Sequence, residues 1–411
     1  MKTLLKSATI LDKRSPHNGK VRDVLIDKGK ISAIAVSLPE IKGRTIKSKG
    51  LCLSPGWIDM RANFRDPGFE FKEDLNSGTK AAAAGGFTRV LLMPSLLPVT
   101  DNKGAVEYLK RLNPVNGVQL LVAGSLSAGM EGKQMAELFD MSQSGAVAFT
   151  DDKQNVGTEL MLRALEYTKN FNGLVISFPL DRGVNPNGLM HEGVTSVSMG
   201  LRGLSHMSEE IKLSRDLDLL RYSGGKMHVS LISTARSVQM IRLAKKEGLQ
   251  VTCGIAAHQL SFTDENMLGF DSNMKVMPPF RSKADHKALI DGLKDGTIDV
   301  ICSDHSPEDI EHKKREFEDA EFGISSIQTA FNSIFQATEK NLDLAVIANA
   351  LSVNPATILK QDLPVIEVGS VAEVTVFSTG EDSVFDEKTW MSKSKHSPFY
   401  GKKLRGRIFE V

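Results

Sequence analysis

Ser54-Pro-Gly-Trp-Ile-Asp-Met-Arg-Ala-Asn-Phe-Arg-Asp-Pro-Gly68 is the stretch on which the fold turns. Its apolar part, Trp57 to Met60, reads as a short β-strand, and β-type runs then alternate with helical stretches along the chain, the pattern of βα units around a parallel sheet. Seven further candidate strands follow: Arg89 to Met93, Val118 to Ala123, Ala146 to Thr150, Leu174 to Phe178, Lys226 to Leu231, Gln250 to Gly254 and Asp299 to Ser303. Eight such units predict an α/β fold, a (β/α)8 TIM barrel whose active site lies where the strands end. A doubly wound open sheet is the alternative that the pattern leaves open.

Outward from this region the texture changes. The first ~50 residues read as short strands, Thr3 to Leu11, Asp23 to Asp27 and Lys30 to Ile34, the last two joined at the turn-forming Asp27-Lys28-Gly29. Near the other end, Val371 to Phe377 alternates as a strand and Lys403 to Val411 closes the chain as another. These ends predict one small composite β-sandwich domain, residues 1–53 plus 362–411, beside a barrel spanning 54–361. At 411 residues the chain is long enough for both.

Composition bounds the function classes. Hydrophobic residues make up 41% and charged residues 25%, ordinary for a soluble globular protein. A net charge of +1 gives no global field toward nucleic acid or an anionic membrane, so neither is an expected partner. No apolar stretch of ~18 residues is present to span a bilayer. Met1 to Lys20 has no h-region, so no secretory signal is expected. Cys52, Cys253 and Cys302 are scattered and odd in number, which fits a reducing cytoplasm and neither a zinc ribbon nor a redox pair. Gly85-Gly86 and Gly224-Gly225 lack the spacing of a nucleotide phosphate loop.

The opening stretch resembles the first-strand signature of dihydroorotases, in which an apolar strand ends in Asp-x-His-x-His-x-Arg-x-Pro-Gly. The resemblance continues through Leu92-Met-Pro94, Phe149-Thr-Asp-Asp152, Ser208-Glu-Glu210, Arg215-Asp216, His228 to Thr234, Pro278-Pro-Phe-Arg281 and Ser303-Asp-His-Ser-Pro307. Ser392 to Gly401 and Leu404-Arg-Gly-Arg407 look like the family's closing β segment. On these motifs the chain is identified as a member of the dihydroorotase branch of the amidohydrolase superfamily, of the multifunctional-complex type. The resemblance implies interconversion of carbamoyl-aspartate and dihydroorotate in pyrimidine synthesis. It also implies a zinc centre at the ends of strands one, four, five, six and eight, with an aspartate shuttling the proton.

The positions that correspond to those ligands are altered. Where the family's first-strand histidines stand, this chain has Arg61, a guanidinium that only donates hydrogen bonds, and Asn63. At strands five and six the histidines become Phe178 and Leu231. Carboxylates survive as the Asp151/Asp152 pair, either of which matches the strand-four position, and as Asp304 at the proton-shuttle position after strand eight. No tight cofactor is therefore expected, although the family uses zinc; oxygen ligands of this kind suit weak Mg²⁺. The same acidic pairs also read as ordinary turns or helix caps. Arg61 is expected either to pair with one of Asp151, Asp152 and Asp304, approaching within about 6 Å, or to snorkel to solvent.

The Arg, Asn and His that grip substrate carboxylate in the family correspond here to Arg65, Ser95 and Glu308. Glu308 would repel an anionic substrate, and Arg65 is equally readable as a structural ion pair. Of nine histidines, His17, His191, His206, His286, His312 and His396 read as loop or surface residues. His228, His258 and His305 are either satisfied structural groups or approach the barrel mouth. The charged segment Glu308 to Phe322 falls where dihydroorotases carry a substrate loop, and reads as mobile or as a solvated helix. Two functional readings follow. One is a non-catalytic, oligomeric homologue that assembles with aspartate carbamoyltransferase, as some inactive homologues do; the other is an active dihydroorotase or related cyclic-amide hydrolase with a reduced metal site.

Overall fold

The structure, a computed structural model, describes residues 2–411. The chain opens with β1 (Lys2–Ile10), β2 (Val21–Asp27), β3 (Lys30–Ala35), β4 (Arg44–Ile46) and β5 (Leu51–Pro55). The hairpin between β2 and β3 forms where expected, because Lys28 and Gly29 both take positive φ, 50° and 73°, as a two-residue hairpin turn demands.

Eight parallel strands follow: β6 (Trp57–Ala62), β7 (Phe87–Leu92), β8 (Gln119–Gly124), β9 (Ala146–Phe149) and β10 (Val175–Ser177); then, after the small pair β11 (Met190–His191) and β12 (Gly203–Leu204), β13 (Met227–Val229), β14 (Val251–Ala256) and β15 (Val300–Cys302). All eight expected strands are present, in one sheet of sequential order. This is the predicted (β/α)8 barrel, and the doubly wound alternative is excluded. The intervening helices start on side-chain caps: Asp74 caps Leu75–Ala84, Thr234 caps Ala235–Lys246 and Ser282 caps Lys283–Lys294.

The ring closes differently from the rest of the sheet. Between β6 and β15 there is one bridge, Ala62 with His305, and one backbone bond just above it, Asn63 N–H to the His305 carbonyl at 2.8 Å. The remainder of the seam is a side chain. The buried Asp59 carboxylate accepts from the Ser303 N–H at 2.9 Å and from the Ser303 hydroxyl.

Alternation sorts the strand residues between two cores. Ile58, Met60, Leu91, Met93, Leu121, Ala148, Ile176 and Val300 fill the barrel interior, whereas Trp57, Phe87, Phe149 and Val229 pack outward with the helices. Trp57 also contacts Phe331 and Phe377 at ring-centroid distances of 5.2 and 5.3 Å, which fastens the barrel to the sheet built by the chain ends. That sheet has seven strands, completed by β16 (Val374–Val384) and β17 (Lys403–Phe409), in the order β17-β16-β5-β1-β2-β3 with β4 also on β1. Its own core is Leu5, Ile10, Val24, Ile26, Leu51, Leu53 and Val376. Among the described residues no helix is long and apolar enough to cross a membrane.

The segment Glu308 to Phe322 is neither free nor simply solvated. It holds a short helix, Ile310–Lys313, capped by Asp309, and buries Lys313, Phe317 and Ala320.

Candidate active site at the barrel mouth

The mouth is assembled from the residues that end the strands, several of which leave the sheet through a left-handed turn. Arg65, Asp152, Leu231 and Asp304 have φ of 61°, 51°, 58° and 47°. A non-glycine residue there costs roughly 1–2 kcal/mol, and such backbone concentrates where side chains must be aimed. These turns also explain why β13 and β15 stop short of the expected ends Leu231 and Ser303.

Arg61 points into the barrel and is buried, 2% exposed. Its Nε donates to Asp304 Oδ1 at 2.9 Å and its Nη2 donates to Asp152 Oδ1. The pairing expected of Arg61 is therefore formed with two carboxylates, and the snorkelling alternative is excluded. Lys153 adds a second cation, its Nζ 3.2 Å from Asp304 Oδ1. The Phe178 ring lies beneath both cations, 5.4 Å from the Arg61 guanidinium carbon and 5.9 Å from Lys153 Nζ. The second Asp152 oxygen accepts from Ser95 Oγ at 2.6 Å and Asn63 Nδ2 at 3.3 Å. Leu231, like Phe178, belongs to the apolar filling of the barrel.

Asp151 and Asp152 separate cleanly. Asp151 turns away and caps a neighbouring loop, accepting from the Leu126 and Ser127 N–H groups at 2.8 and 2.9 Å and from the Ser127 hydroxyl. It serves the turn role, and Asp152 alone faces the site.

Charge and burial compete at each group. Burial alone would raise Asp152, but the Arg61 and Lys153 charges, with the Ser95 and Asn63 bonds, hold it down to about 2. For Asp59, burial wins over the Ser303 bonds and pushes it up to about 7. Lys153 is lowered by burial, which the Asp304 carboxylate opposes and Arg61 reinforces. Two carboxylates and two cations thus neutralise one another inside a low-dielectric mouth.

A second cluster sits at the rim. Arg65 Nη2 donates to Glu308 Oε1 at 2.6 Å, and Lys72 Nζ pairs with Glu308 Oε2. Arg65 Nε also donates to the Pro307 carbonyl at 3.2 Å. Arg65 and Glu308 are therefore partners. Ser95 belongs to the other cluster, with Asp152.

The histidines divide three ways. His228 Nδ1 lies 2.9 Å from Thr252 Oγ1, and burial lowers its pKa to about 3, so it is a neutral structural group. His305 Nδ1 accepts from the Ser326 N–H at 3.1 Å, and its Nε2 lies 3.4 Å from the buried Glu73 carboxylate. His258 is fully buried, edge-on to Phe280, and neither ring nitrogen has a partner. Burial lowers its pKa to about 4.

Two contributors escaped the sequence reading. Lys153 directly follows the acidic pair, and that adjacency was the available signal. Lys72 carried none, because only the folded loop brings it to Glu308.

A family profile described as dihydro-orotase-like matches residues 50–237. Over 99% of this chain and 97% of the relative, the sequence is 40% identical to a dihydroorotase of Syntrophus aciditrophicus. It is 38% identical to a dihydroorotase of Geobacter metallireducens, over 99% of this chain and 96% of that one. The fold superposes on an L-hydantoinase (dihydropyrimidinase) from Arthrobacter aurescens with a TM-score of 0.83 at 20% identity, covering 99% of this chain and 93% of that one. A dihydropyrimidinase from Brevibacillus agri gives 0.81, also at 20% identity, with the same coverage.

These matches correct the expectation that no cofactor is involved, since the family they define is zinc-dependent. Tested against that group, however, the residues at the mouth do not fit. A catalytic zinc takes chiefly imidazole, thiolate or carboxylate donors. Here the facing carboxylates already accept from Arg61, and Phe178 and Leu231 have no lone pair to give. Among the described residues one cluster has metal-ligand spacing, Glu308, Asp309 and His312, but Glu308 in it is engaged by Arg65 and Lys72.

Proposed function

The chain belongs to the dihydroorotase family, and from that premise we propose a dihydroorotase-like protein of pyrimidine biosynthesis that does not turn over dihydroorotate, serving instead as a structural or regulatory partner of aspartate carbamoyltransferase. The observation that carries this reading is the seating of Arg61 on Asp152 and Asp304. Opening the dihydroorotate ring needs an electrophile on the amide carbonyl, an activated water and a carboxylate free to move a proton. Asp304, at the proton-shuttle position, is already paired with two cations, Arg61 and Lys153.

Support for the partnership comes from the resemblance to inactive homologues that assemble with the carbamoyltransferase. Exposed apolar residues Val194 and Val197, on the short helix Val194–Met199, supply surface suited to a protein contact. The reading includes self-association and a cytoplasmic setting, which three free, buried cysteines support.

Two measurements test it. Dihydroorotate and carbamoyl-aspartate turnover, assayed with and without added zinc, is expected to stay at background; turnover abolished by Asp304→Asn would reverse the reading. Mixing the chain at micromolar concentration with the carbamoyltransferase of its own organism is expected to give a complex of summed mass. An unchanged carbamoyltransferase mass and activity would remove the partnership.

A second reading, an active dihydroorotase with a reduced metal site, is favoured by the names of the relatives, each called dihydroorotase at 36–40% identity. The same turnover assay decides between them.

A further inference from the structure

We infer that the groove between the barrel and the closing segment of the chain is a binding site for a nucleoside monophosphate. The groove has a volume of about 620 Å³, within the range of small-molecule sites. It runs between the loop after β14, the helix Ala330–Thr338 and residues 395–404. No residue of either charged cluster at the barrel mouth lines it. One wall offers fixed aromatic rings. Phe262 is half-buried and lies 5.3 Å, centroid to centroid, from each of the buried rings of Phe280 and Phe399. Tyr400, also half-buried, stands edge-on to Trp390 at 5.4 Å and donates its hydroxyl to Glu387 at 2.8 Å. Rings held in place before a ligand arrives lose little freedom on binding, which favours stacking of a flat heterocycle.

The polar lining selects the rest of the ligand. Asn266 Oδ1 accepts from the Thr263 N–H at 2.8 Å, Gln336 Oε1 accepts from the Arg405 N–H at 3.2 Å, and Asn273 Oδ1 is taken by His396 Nδ1 at 3.2 Å. With each amide oxygen engaged, what these three side chains still present is their NH₂ donors. Lys395 and Lys403 are already matched by Glu387 and Asp382, whereas Lys402 is exposed and, among the described residues, has no acidic partner. A donor-rich lining with one free cation fits an anion built of acceptor oxygens, a phosphate. Asp271 is the single carboxylate of the lining; one oxygen accepts from the Asn273 N–H at 2.9 Å, and the other is left to accept from a sugar hydroxyl. Ring wall, hydroxyl acceptor and phosphate donors in one groove match the three parts of a nucleotide, whether or not the chain turns over dihydroorotate.

The test is equilibrium dialysis of the full-length protein against radiolabelled adenosine monophosphate at constant ionic strength, with adenosine and inorganic phosphate as separate probes. Saturable binding of the nucleotide with a Kd below ~1 mM, tighter than that of either fragment, is expected. Lys402→Ala is expected to weaken it at least about tenfold, the loss of one charge-assisted pairing. Phe262→Leu is expected to weaken it roughly fivefold or more, while Phe262→Tyr, which keeps the ring, restores affinity. The absence of saturable binding overturns the proposal, as does binding that Lys402→Ala and Phe262→Leu both leave unchanged, or phosphate alone binding as tightly as the nucleotide. Should Phe262→Leu not fold, the exposed Lys402→Ala and the two fragment probes decide. Neither turnover nor carbamoyltransferase binding enters this readout, so its failure is separate from theirs.

Discussion

The two charged clusters at the barrel mouth differ in their balance of charge. Deep in the barrel one guanidinium, Arg61, bridges two carboxylates and Lys153 assists; at the rim two cations, Arg65 and Lys72, share one carboxylate, Glu308. In the family the resemblance places a metal at the first position and a substrate carboxylate at the second. Here a cation of the chain stands at the former and an anion of the chain at the latter. The clusters differ in water. Arg61, Asp152 and Asp304 are all nearly inaccessible, whereas Arg65 and Lys72 keep an edge in solvent. A buried pair that loses one member leaves a charge that nothing can hydrate, and a rim pair does not.

The sharpest way to break this comparison is Arg61→Met. It is expected to destabilise by roughly 3–5 kcal/mol, read from urea unfolding, because it leaves two buried carboxylates to share one remaining cation, Lys153. Adding Asp152→Asn and Asp304→Asn should recover a large part of that loss; stability unaffected by Arg61→Met would show that the bridge does not hold the mouth together.

Next in size is the acid dependence of Asp152. Its folded pKa is depressed, so its contribution is present above the unfolded value of about 4 and is lost as pH falls through about 2. The stability difference between the unaltered protein and Asp152→Asn should therefore shrink by roughly 2 kcal/mol between pH 4 and pH 2. A difference constant across that window would mean that Arg61 does not lower Asp152.

Glu308→Gln should cost less, about 1–2 kcal/mol, since Arg65 and Lys72 can turn to water. A loss as large as that of Arg61→Met would erase the distinction between core and rim. The smallest effect is expected for Ser95→Ala, about 1 kcal/mol for one hydrogen bond to a charged group that keeps other partners, and denaturant midpoints can resolve it.

Much of this was legible in the chain itself. The eight barrel strands announced themselves by β-type runs between helical stretches, and the Arg61 bridge followed from charge: buried carboxylates at strand ends need a cation. Asp151 and Asp152 could not be told apart, because adjacent residues in a turn point opposite ways according to backbone dihedrals that composition does not reveal. β5 escaped notice since Leu51 to Pro55 is buried at every position and so shows no alternation. Lys72 stayed hidden for a different reason: its partner is 236 residues away and only tertiary structure joins them. His258 lies near the mouth, one of the two roles foreseen for it, but neither ring nitrogen has the partner that a satisfied structural histidine would have.

The sheet shared by the chain ends has a consequence in time. β5 pairs with β16, Leu53 opposite Val376, so the two partners are 376 − 53 = 323 residues apart. At synthesis rates of about 5–20 residues per second, β5 leaves the ribosome roughly 16–65 s before its neighbour exists. Throughout that interval the whole barrel is being made while a strand destined for full burial presents an unpaired edge. The nascent chain is thus most prone to mispairing at its beginning, and it becomes safe only when nearly its last element arrives.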